Sequence, residues 1–327
     1  MTNGLYRQVI DALAEAGTVL LCTHLQPDGD AIGSMLALNE YLHNNGKQTL
    51  MVCHDLPPAN LQFLPGVENV RLARDAAPGG YDLALSVDAS DADRLGDAGK
   101  LFSVANRTVQ IDHHQTNTMF AGINLVDTVA SSSGTIICRL YEAAGMSFSR
   151  NAAINLYTAI STDTGNFCYG NITAELFDQM AALMRAGLPI VRAAYNLHLL
   201  TTREQTMLLG RALYSLTFLE DGRLTCMRLT REDFEACGAT TEHAERIVNH
   251  GLNIAGVQLT FLATQVADGI KFSLRSLAPY DVSQVAARFG GGGHMYAAGC
   301  TIREPMDAAV EKMKQAMASV LHDQRHR

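Results

Sequence analysis

The chain has 327 residues, enough for two domains of ordinary size that each bury a core. Hydrophobic residues make up 47% of the chain and charged residues 18%, which excludes a disordered or low-complexity protein. The net charge of −8 excludes long duplex DNA as the expected partner, but it allows small phosphorylated substrates if bound metal supplies positive charge.

The first half of the chain alternates short apolar segments with helical patterns. Four of these segments are predicted as strands, at 18–24, 49–54, 82–90 and 108–114. Helices are predicted at 31–46, 133–145, 151–161 and 173–186, and Gly46 stands where a C-cap is expected. Strands that are apolar on both faces and alternate with helices are typical of a parallel sheet covered by helices on both sides.

The pattern changes around residues 187–215, where helical and connecting residues predict a hinge. Further strands are predicted at 224–229, 257–269 and 270–277, with Asp268-Gly269 as a hairpin turn. Four glycines at 290–293 follow a short helix, and a last helix is predicted over about 306–321. We therefore expect a larger α/β domain over 1–187, a helical linker over 188–212 and a smaller α+β domain over 213–327.

The cysteines and the N-terminus bear on the cellular compartment. The seven cysteines are scattered without a Cys-x-x-Cys pair, which disfavours a disulfide framework and a zinc ribbon. The N-terminus lacks the basic start and long apolar stretch of a signal peptide, and no apolar run reaches the roughly 18 residues of a membrane span. We expect a cytoplasmic protein with no membrane partner.

Acidic and histidine side chains stand at the ends of several predicted elements. They are His24, Asp28 and Asp30 after the first strand, Asp88 after the third, Asp112, His113 and His114 after the fourth, and Asp163 at the end of a later helix. The carboxyl ends of parallel strands meet at one edge of a sheet, so we expect these side chains to converge on one site. Carboxylates and neutral imidazoles suit divalent cations, and the oxygen-rich set favours Mn²⁺ or Mg²⁺.

Each part of this set also has an ordinary structural explanation. A single Asp-x-Asp is usually a turn or a helix start, and Asp88 and Asp163 taken alone read as helix caps. The conjunction favours a metal site, since the carboxylates would repel one another without cations. Two ions roughly 3.5–4 Å apart would cancel that repulsion and hold the oxygens of a phosphoryl group.

The ordered set His-x-x-x-Asp-x-Asp, Asp-Ala-Ser, Asp-His-His and a later Asp resembles the DHH phosphoesterase superfamily. The segment FGGGGHMYAAG at 289–299 is similar to the signature of that family's first type of associated C-terminal domain. The resemblance covers nearly the whole chain and shows no departure at the metal positions. The length and the pairing of domains are most similar to the branch of nano-RNases and 3′-phosphoadenosine-5′-phosphate (pAp) phosphatases.

The resemblance implies a role for each residue of the set. It implies two divalent cations, with Mn²⁺ favoured and Mg²⁺ or Co²⁺ as alternatives. It places one ion on His24 and Asp28, the other on Asp30, His113 and Asp163, and Asp88 between both. It also implies that His114 faces the phosphate and stabilises charge in the transition state, while Asp112 orients a ligand imidazole or the local backbone.

The second domain is expected to hold the substrate. The candidate residues are Gly291, Gly292, Gly293 and His294 in the glycine run and Arg275 on a predicted strand. Glycine amides can form a nest for a phosphate, and an arginine can bind one bidentately. The alternatives are a tight turn for the glycines and an exposed strand position for Arg275. Tyr296 or Phe289 could stack on a base, although core packing is favoured for each.

We therefore expect a two-metal phosphoesterase that hydrolyses short oligoribonucleotides to mononucleotides, pAp to AMP, or both. The nearest alternative substrates are cyclic di-AMP and the linear dinucleotide pApA derived from it. An alternative from another class is a nucleotide-binding regulatory protein with a vestigial metal site, which a missing ligand would support; none is missing. A homodimer is plausible, although no surface pattern in the sequence argues for one.

Overall fold

A computed structural model describes residues 2–77, 79–168 and 171–323 of the chain. The chain divides into two compact units, of which the first reaches Leu200 and the second begins at Thr201. The role of residues 188–212 as a hinge stays a prediction.

The first unit is built on a sheet of six parallel strands. In chain order these are β1 Thr18–Thr23, β2 Gln48–Cys53, β3 Arg71–Leu72, β4 Leu83–Val87, β5 Arg107–Asp112 and β6 Ile123–Val126. They lie in the order β3-β2-β1-β4-β5-β6, so the direction of winding reverses between β1 and β4. The four strands predicted from their apolar segments are confirmed. The sequence analysis missed β3 and β6, which are too short to show a period.

Several helices of this unit begin at side-chain caps. They are α1 Thr2–Glu15, α2 Gly29–Asn44, α3 Ala98–Ser103, α4 Ser133–Ala143, α5 Arg150–Asp163, α6 Ala174–Arg185 and α7 Ile190–Ala194. Ser132, Ser149 and Thr173 each accept a hydrogen bond from the amide three residues on, at the starts of α4, α5 and α6. The predicted helices are therefore confirmed to within about two residues. Helix α1 was not predicted.

Apolar side chains on β1 alternate between the two faces of this sheet. Val19 and Leu21 belong to the large cluster beneath α2, α4 and α5, whereas Leu20 and Cys22 belong to a smaller cluster that contains residues of α3. Period-two alternation with apolar residues on both faces is what a doubly covered parallel sheet requires. The predicted covering of both faces by helices is confirmed.

The second unit contains a mixed sheet with helices. Its strands are β7 Thr217–Leu219, β8 Leu224–Leu229, β9 Leu259–Val266, β10 Gly269–Ser276, β11 Gly292–His294 and β12 Ala297–Ile302. They lie in the order β11-β12-β10-β9-β8-β7, and all neighbours are antiparallel except β8 and β9. The helices are α8 Arg203–Tyr214, α9 Arg231–Cys237, α10 Ile247–Leu252, α11 Ser283–Arg288 and α12 Met306–Asp323. The predicted α+β class of the second half is confirmed.

The turn of the β9–β10 hairpin was predicted one residue too late. The register pairs Val266 with Gly269, so Ala267 and Asp268 form the two-residue turn. Gly269 is the first residue of β10 and has a φ of +140°. A Cβ at this position would lie 2.5 Å from the carbonyl oxygen of Ile302, so glycine is needed where the chain passes β12 and not in the turn itself.

Candidate metal centre

The carboxyl ends of three neighbouring strands supply the centre of the site. His24 follows β1, Asp88 follows β4, and His113 follows β5. β1 and β4 are adjacent at the point where the strand order reverses, which is the usual ligand position in an open parallel sheet. Three groups of donors lie around this point, and two of them contain the six predicted metal ligands. The third group consists of Asp88, His113 and His114.

The first group consists of His24, Asp28 and Asp88, whose donor atoms all lie within 4.8 Å of one another. His24 Nε2 is 3.8 Å from Asp28 Oδ1 and 3.5 Å from Asp88 Oδ2. His24 Nδ1 is 2.7 Å from the carbonyl oxygen of Leu25. A carbonyl oxygen can only accept, so Nδ1 carries a proton and Nε2 is the atom available to a cation.

The second group consists of Asp30, His113 and Asp163, again with donor atoms within 4.8 Å of one another. His113 Nε2 lies 2.9 Å from Asp163 Oδ2 and 3.7 Å from Asp30 Oδ2. Asp30 is fully buried, whereas the side chain of Asp163 is about one-fifth exposed. This group therefore contains both a sealed carboxylate and one open to solvent.

Asp88 lies between the two groups. Its Oδ2 faces His24 at 3.5 Å, and its Oδ1 faces His113 at 3.5 Å. The hydroxyl of Ser133 donates to Oδ1 at 3.0 Å. Asp88 has a φ of +58°, a left-handed conformation that costs free energy in a residue with a side chain. Such local strain is typical of a functional position.

Close packing of α2 against α5 brings Asp30 beside Asp163. A Cβ at Gly33 would lie 2.3 Å from the carbonyl oxygen of Asn155, and one at Gly29 would lie 2.4 Å from Thr162 Cγ2. Only glycine allows the two helices to approach this closely. The start of α2 thus meets the end of α5, where the two carboxylates stand.

The start of α4 holds the buried Asp30 carboxylate in place. Ser133 N–H donates to Asp30 Oδ2 at 2.6 Å, and Gly134 N–H donates to Oδ1 at 2.9 Å. The hydroxyl of Ser34 donates to Oδ1 at 3.1 Å. The sequence analysis missed these residues. Their signal was the Ser-Ser-Ser-Gly run at 131–134, which predicts a helix start whose free amides favour an anion.

The electrostatics of the cluster fit divalent cations. Burial and the nearby carboxylates of Asp88 and Asp163 raise the pKa of Asp30 well above its usual range. Burial also raises the pKa of Asp163, to about 6. Burial opposes protonation of His24, but hydrogen bonds to Asp28 and Asp88 outweigh it and raise the pKa to about 11. Burial and crowding thus favour the protonated forms of Asp30 and His24, and divalent cations would take the place of those protons.

His114 and Asp112 form a hydrogen-bonded pair beside the two groups. His114 Nδ1 is 2.7 Å from Asp112 Oδ1 and 3.8 Å from Asp88 Oδ1. Burial acts against the charged ring, but the hydrogen bond to Asp112 outweighs it and raises the pKa of His114. The hydrogen bond from Nδ1 to Asp112 fixes the orientation of the His114 ring beside Asp88.

Asn117 supports this pair and was missed from the sequence. Its Nδ2 donates to Asp112 Oδ2 at 2.5 Å and to the carbonyl oxygen of Ala89 at 3.4 Å. Its Oδ1 accepts from Gln110 Nε2 at 2.5 Å and from Met119 N–H at 2.7 Å. Asn117 thereby connects the Asp112–His114 pair to the residue after Asp88. Its position five residues after Asp112 was the only signal, and no periodic pattern marks it.

Replacing Asn117 by Ala is expected to lower kcat about 10- to 100-fold on any substrate of the site, since Asp112 loses the donor that orients it. Bound metal content is expected to stay that of the wild type. Steady-state kinetics with metal analysis checks both. The exposed Asn106, replaced in the same way, is the control. Wild-type kcat in the Asn117→Ala protein would show that the network does not act on the site.

The candidate substrate residues lie in the second unit. Arg275 lies on β10, half-buried, with Nη1 donating to the carbonyl oxygen of Leu274 at 2.9 Å. Gly292 and Gly293 pair with β12, and Gly291 N–H donates to the carbonyl oxygen of Ala286 at 2.9 Å. The run is thus a helix end and a strand, not an open loop.

Two further observations concern this glycine run and the aromatic residues beside it. A Cβ at Gly291 would lie 2.1 Å from the carbonyl oxygen of Gly299, so close backbone approach already requires glycine there. The side chain of His294 lies outside the described part of the structure. Phe289 packs against the core of the second unit, whereas Tyr296 is 42% exposed. Binding of a ligand by these residues stays a proposal.

Comparison with known families agrees with this geometry. Residues 18–160 match the model of the DHH family, N-terminal domain, and residues 234–322 match the model of the DHHA1 domain. Residues 18–160 therefore carry a DHH N-terminal domain and residues 234–322 a DHHA1 domain, as the sequence resemblance predicted.

Among curated proteins, the chain is similar to two named "Bifunctional oligoribonuclease and PAP phosphatase NrnA". The protein from Thermus thermophilus is 29% identical over 94% of this chain and 91% of its own length. The protein from Bacillus subtilis is 25% identical over 90% of this chain and 92% of its own length. Among solved structures, an exopolyphosphatase-related protein from Bacteroides fragilis superposes with a TM-score of 0.93 at 24% identity, covering 97% of this chain and 96% of that one. That structural likeness concerns the fold alone.

Proposed function

We propose that the chain is a two-metal phosphoesterase that hydrolyses short oligoribonucleotides to mononucleotides and pAp to AMP. The observation that carries the proposal is the position of Asp88, with one carboxylate oxygen facing each of two donor groups. That arrangement suits a pair of divalent cations that share a ligand. The names and the end-to-end coverage of the two NrnA relatives support the substrate class.

His24, Asp28 and Asp88 would hold one cation, and Asp30, His113 and Asp163, again with Asp88, would hold the other. We propose Mn²⁺ as the ion, with Mg²⁺ and Co²⁺ as alternatives, because the donors are mainly carboxylates with two imidazoles. When bound, such ions supply Lewis acidity toward phosphoryl oxygens and activate water. Ser133, Gly134 and Ser34 keep Asp30 in place through their hydrogen bonds and so fix the second group.

The remaining chemistry belongs to His114 and its partners. Asp112 accepts from Nδ1 and stabilises the charged ring, so that Nε2 carries a proton. A donor at this position stabilises the negative charge that develops on the phosphoryl oxygens in the transition state. Asn117 keeps Asp112 in the orientation this requires.

Arg275, Gly291, Gly292, Gly293 and His294 are proposed to bind the substrate. Replacing Arg275 by Ala is expected to raise KM for a dinucleotide about tenfold with little change in kcat, because the loss of one charge-assisted hydrogen bond weakens binding. Lys271 lies four residues earlier on the same strand and is exposed, so Lys271→Ala is the matched control. An unchanged KM in the Arg275→Ala protein would show that Arg275 does not bind the substrate.

The proposal is tested by a panel of substrates at equal concentration with Mn²⁺, in the presence and absence of a chelator. The panel comprises the dinucleotide ApA, a longer RNA, pAp, cyclic di-AMP, pApA and pyrophosphate. We expect AMP from pAp and mononucleotides from the dinucleotides, with no release under chelation. Faster turnover of cyclic di-AMP than of the other substrates would favour a cyclic di-AMP phosphodiesterase, the alternative function. Nucleotide binding without turnover would favour a regulatory protein and contradict the enzyme.

Within the described ranges of the chain, no helix has both the length and the apolar composition needed to cross a membrane. A cytoplasmic location is proposed from the sequence, in line with substrates that are small nucleotides.

A further inference from the structure

Arg94 places a cationic group directly beside the metal centre. It belongs to a 3₁₀ turn, Asp93–Leu95, in the segment that follows Asp88, and its side chain is exposed. Its Nη2 lies 3.4 Å from Nδ1 of His24. Among the described residues, Arg94 is the one arginine or lysine recorded in contact with any of the six candidate ligands, and no carboxylate is recorded within 4.0 Å of its guanidinium.

The contact with His24 does not satisfy the guanidinium. His24 Nδ1 donates its proton to the carbonyl oxygen of Leu25, so it is a donor that faces another donor. The guanidinium is therefore held next to the site with donor hydrogens that have no acceptor there. An arginine in that state is suited to an incoming anion, and phosphate matches its planar fork.

The backbone of this segment is fixed, so the position of Arg94 is built into the fold. The carbonyl oxygen of Arg94 accepts from Leu25 N–H at 2.7 Å, and the N–H of Arg94 donates to Asp91 Oδ1 at 3.0 Å. The carbonyl oxygen of Ser90 accepts from Thr118 N–H at 2.9 Å. The segment is thus tied both to the loop after β1 and to the loop after β5.

Charge balance indicates which phosphate Arg94 would meet. The four carboxylates of the donor groups carry a charge of −4 and two divalent cations carry +4, so a loaded centre would add no net positive charge and would contact only the phosphate bound directly to the cations. Any second phosphate of the substrate needs another positive group. Arg94 contacts Nδ1 of His24, whereas the other ring nitrogen, Nε2, faces Asp88.

We propose that Arg94 binds a second phosphate of the substrate, adjacent to the one that is hydrolysed. The proposal rests on the proposed function and makes it more specific. A 5′-phosphorylated dinucleotide and pAp both carry two phosphates, so one arginine would serve both substrates. The site would accordingly prefer pApA over ApA and pAp over 3′-AMP.

The test compares Arg94→Ala, Arg94→Lys and the wild type on pApA and ApA. We expect kcat/KM on pApA to fall at least about tenfold more than kcat/KM on ApA in Arg94→Ala, with partial recovery in Arg94→Lys. Calorimetric binding of a non-hydrolysable pApA analogue should weaken by a similar factor. Lys100→Ala removes a nearby exposed cation that pairs with Asp97 and is expected to match the wild type.

Two outcomes would overturn the inference. One is wild-type discrimination between pApA and ApA in Arg94→Ala, whether activity falls equally on both or on neither. The other is a loss of bound Mn²⁺ in Arg94→Ala, which would make Arg94 a support for His24. The activity of the wild type distinguishes failure of the Arg94 inference from failure of the proposed function. If the wild type hydrolyses neither dinucleotide, the proposed function fails, whereas turnover of both without dependence on Arg94 contradicts only the present inference.

Discussion

Replacing Asp88 by Asn is expected to reduce hydrolysis of a dinucleotide by at least about a thousandfold, because both donor groups lose a shared carboxylate. The same variant is expected to bind less than half of the Mn²⁺ that the wild type binds. Asn keeps the shape of the side chain and tolerates the left-handed backbone at this position, so the fold is expected to survive. Hydrolysis assays, metal analysis and circular dichroism on one preparation measure all three.

The control for this experiment is Asp178→Asn. Asp178 is an exposed carboxylate on α6, far in sequence from every ligand. It tests whether loss of one negative charge alone changes activity or metal content, and we expect neither change. If Asp88→Asn kept its turnover with an intact fold, Asp88 would not be a shared ligand and the two-metal account would be wrong.

Replacing His114 by Ala is expected to lower kcat about 100- to 1000-fold while bound Mn²⁺ stays at the wild-type level. The ring is assigned to the developing charge on the phosphoryl oxygens, and removal of one such donor has an effect of this size. Asp112→Asn is expected to act in the same direction with a smaller loss, since it leaves the ring but removes the carboxylate that holds Nδ1.

The matched control is His43→Gln, an exposed histidine near the end of α2. The separation of kcat from metal content is what distinguishes His114 from the ligand histidines. If the His114→Ala protein loses its metal, His114 is a metal ligand. If the His114→Ala protein keeps the wild-type kcat, His114 takes no part in the reaction.

The convergence of the candidate residues could be predicted from the sequence because several of them follow strongly apolar strands. The parallel sheet brings His24, Asp88 and His113 to one edge whatever the details of the helices. Asp163 was harder to place, since its position depends on the close approach of α5 to α2. That approach requires Gly29 and Gly33. A glycine within a helical pattern does not by itself indicate which other helix it contacts.

The residues that support the ligands could not be found in the same way. Asn117 reaches Asp112 and Ser133 reaches Asp88 through hydrogen bonds between residues five and 45 positions apart, and Arg94 contacts His24 across 70 residues. Such contacts leave no periodic pattern. The hairpin turn was placed one residue late for a related reason. Gly269 was interpreted as a turn residue, whereas glycine is needed there because the backbone lies close to the end of β12.

The account depends on a pair of cations that share Asp88, and binding of Mn²⁺ to the metal-free protein tests this most directly. Titration followed by electron paramagnetic resonance counts the ions and reports whether they interact. We predict about two Mn²⁺ per chain with the spectrum of a magnetically coupled pair, as expected for ions roughly 3.5–4 Å apart. A single ion per chain, or two ions with uncoupled spectra, would contradict the account.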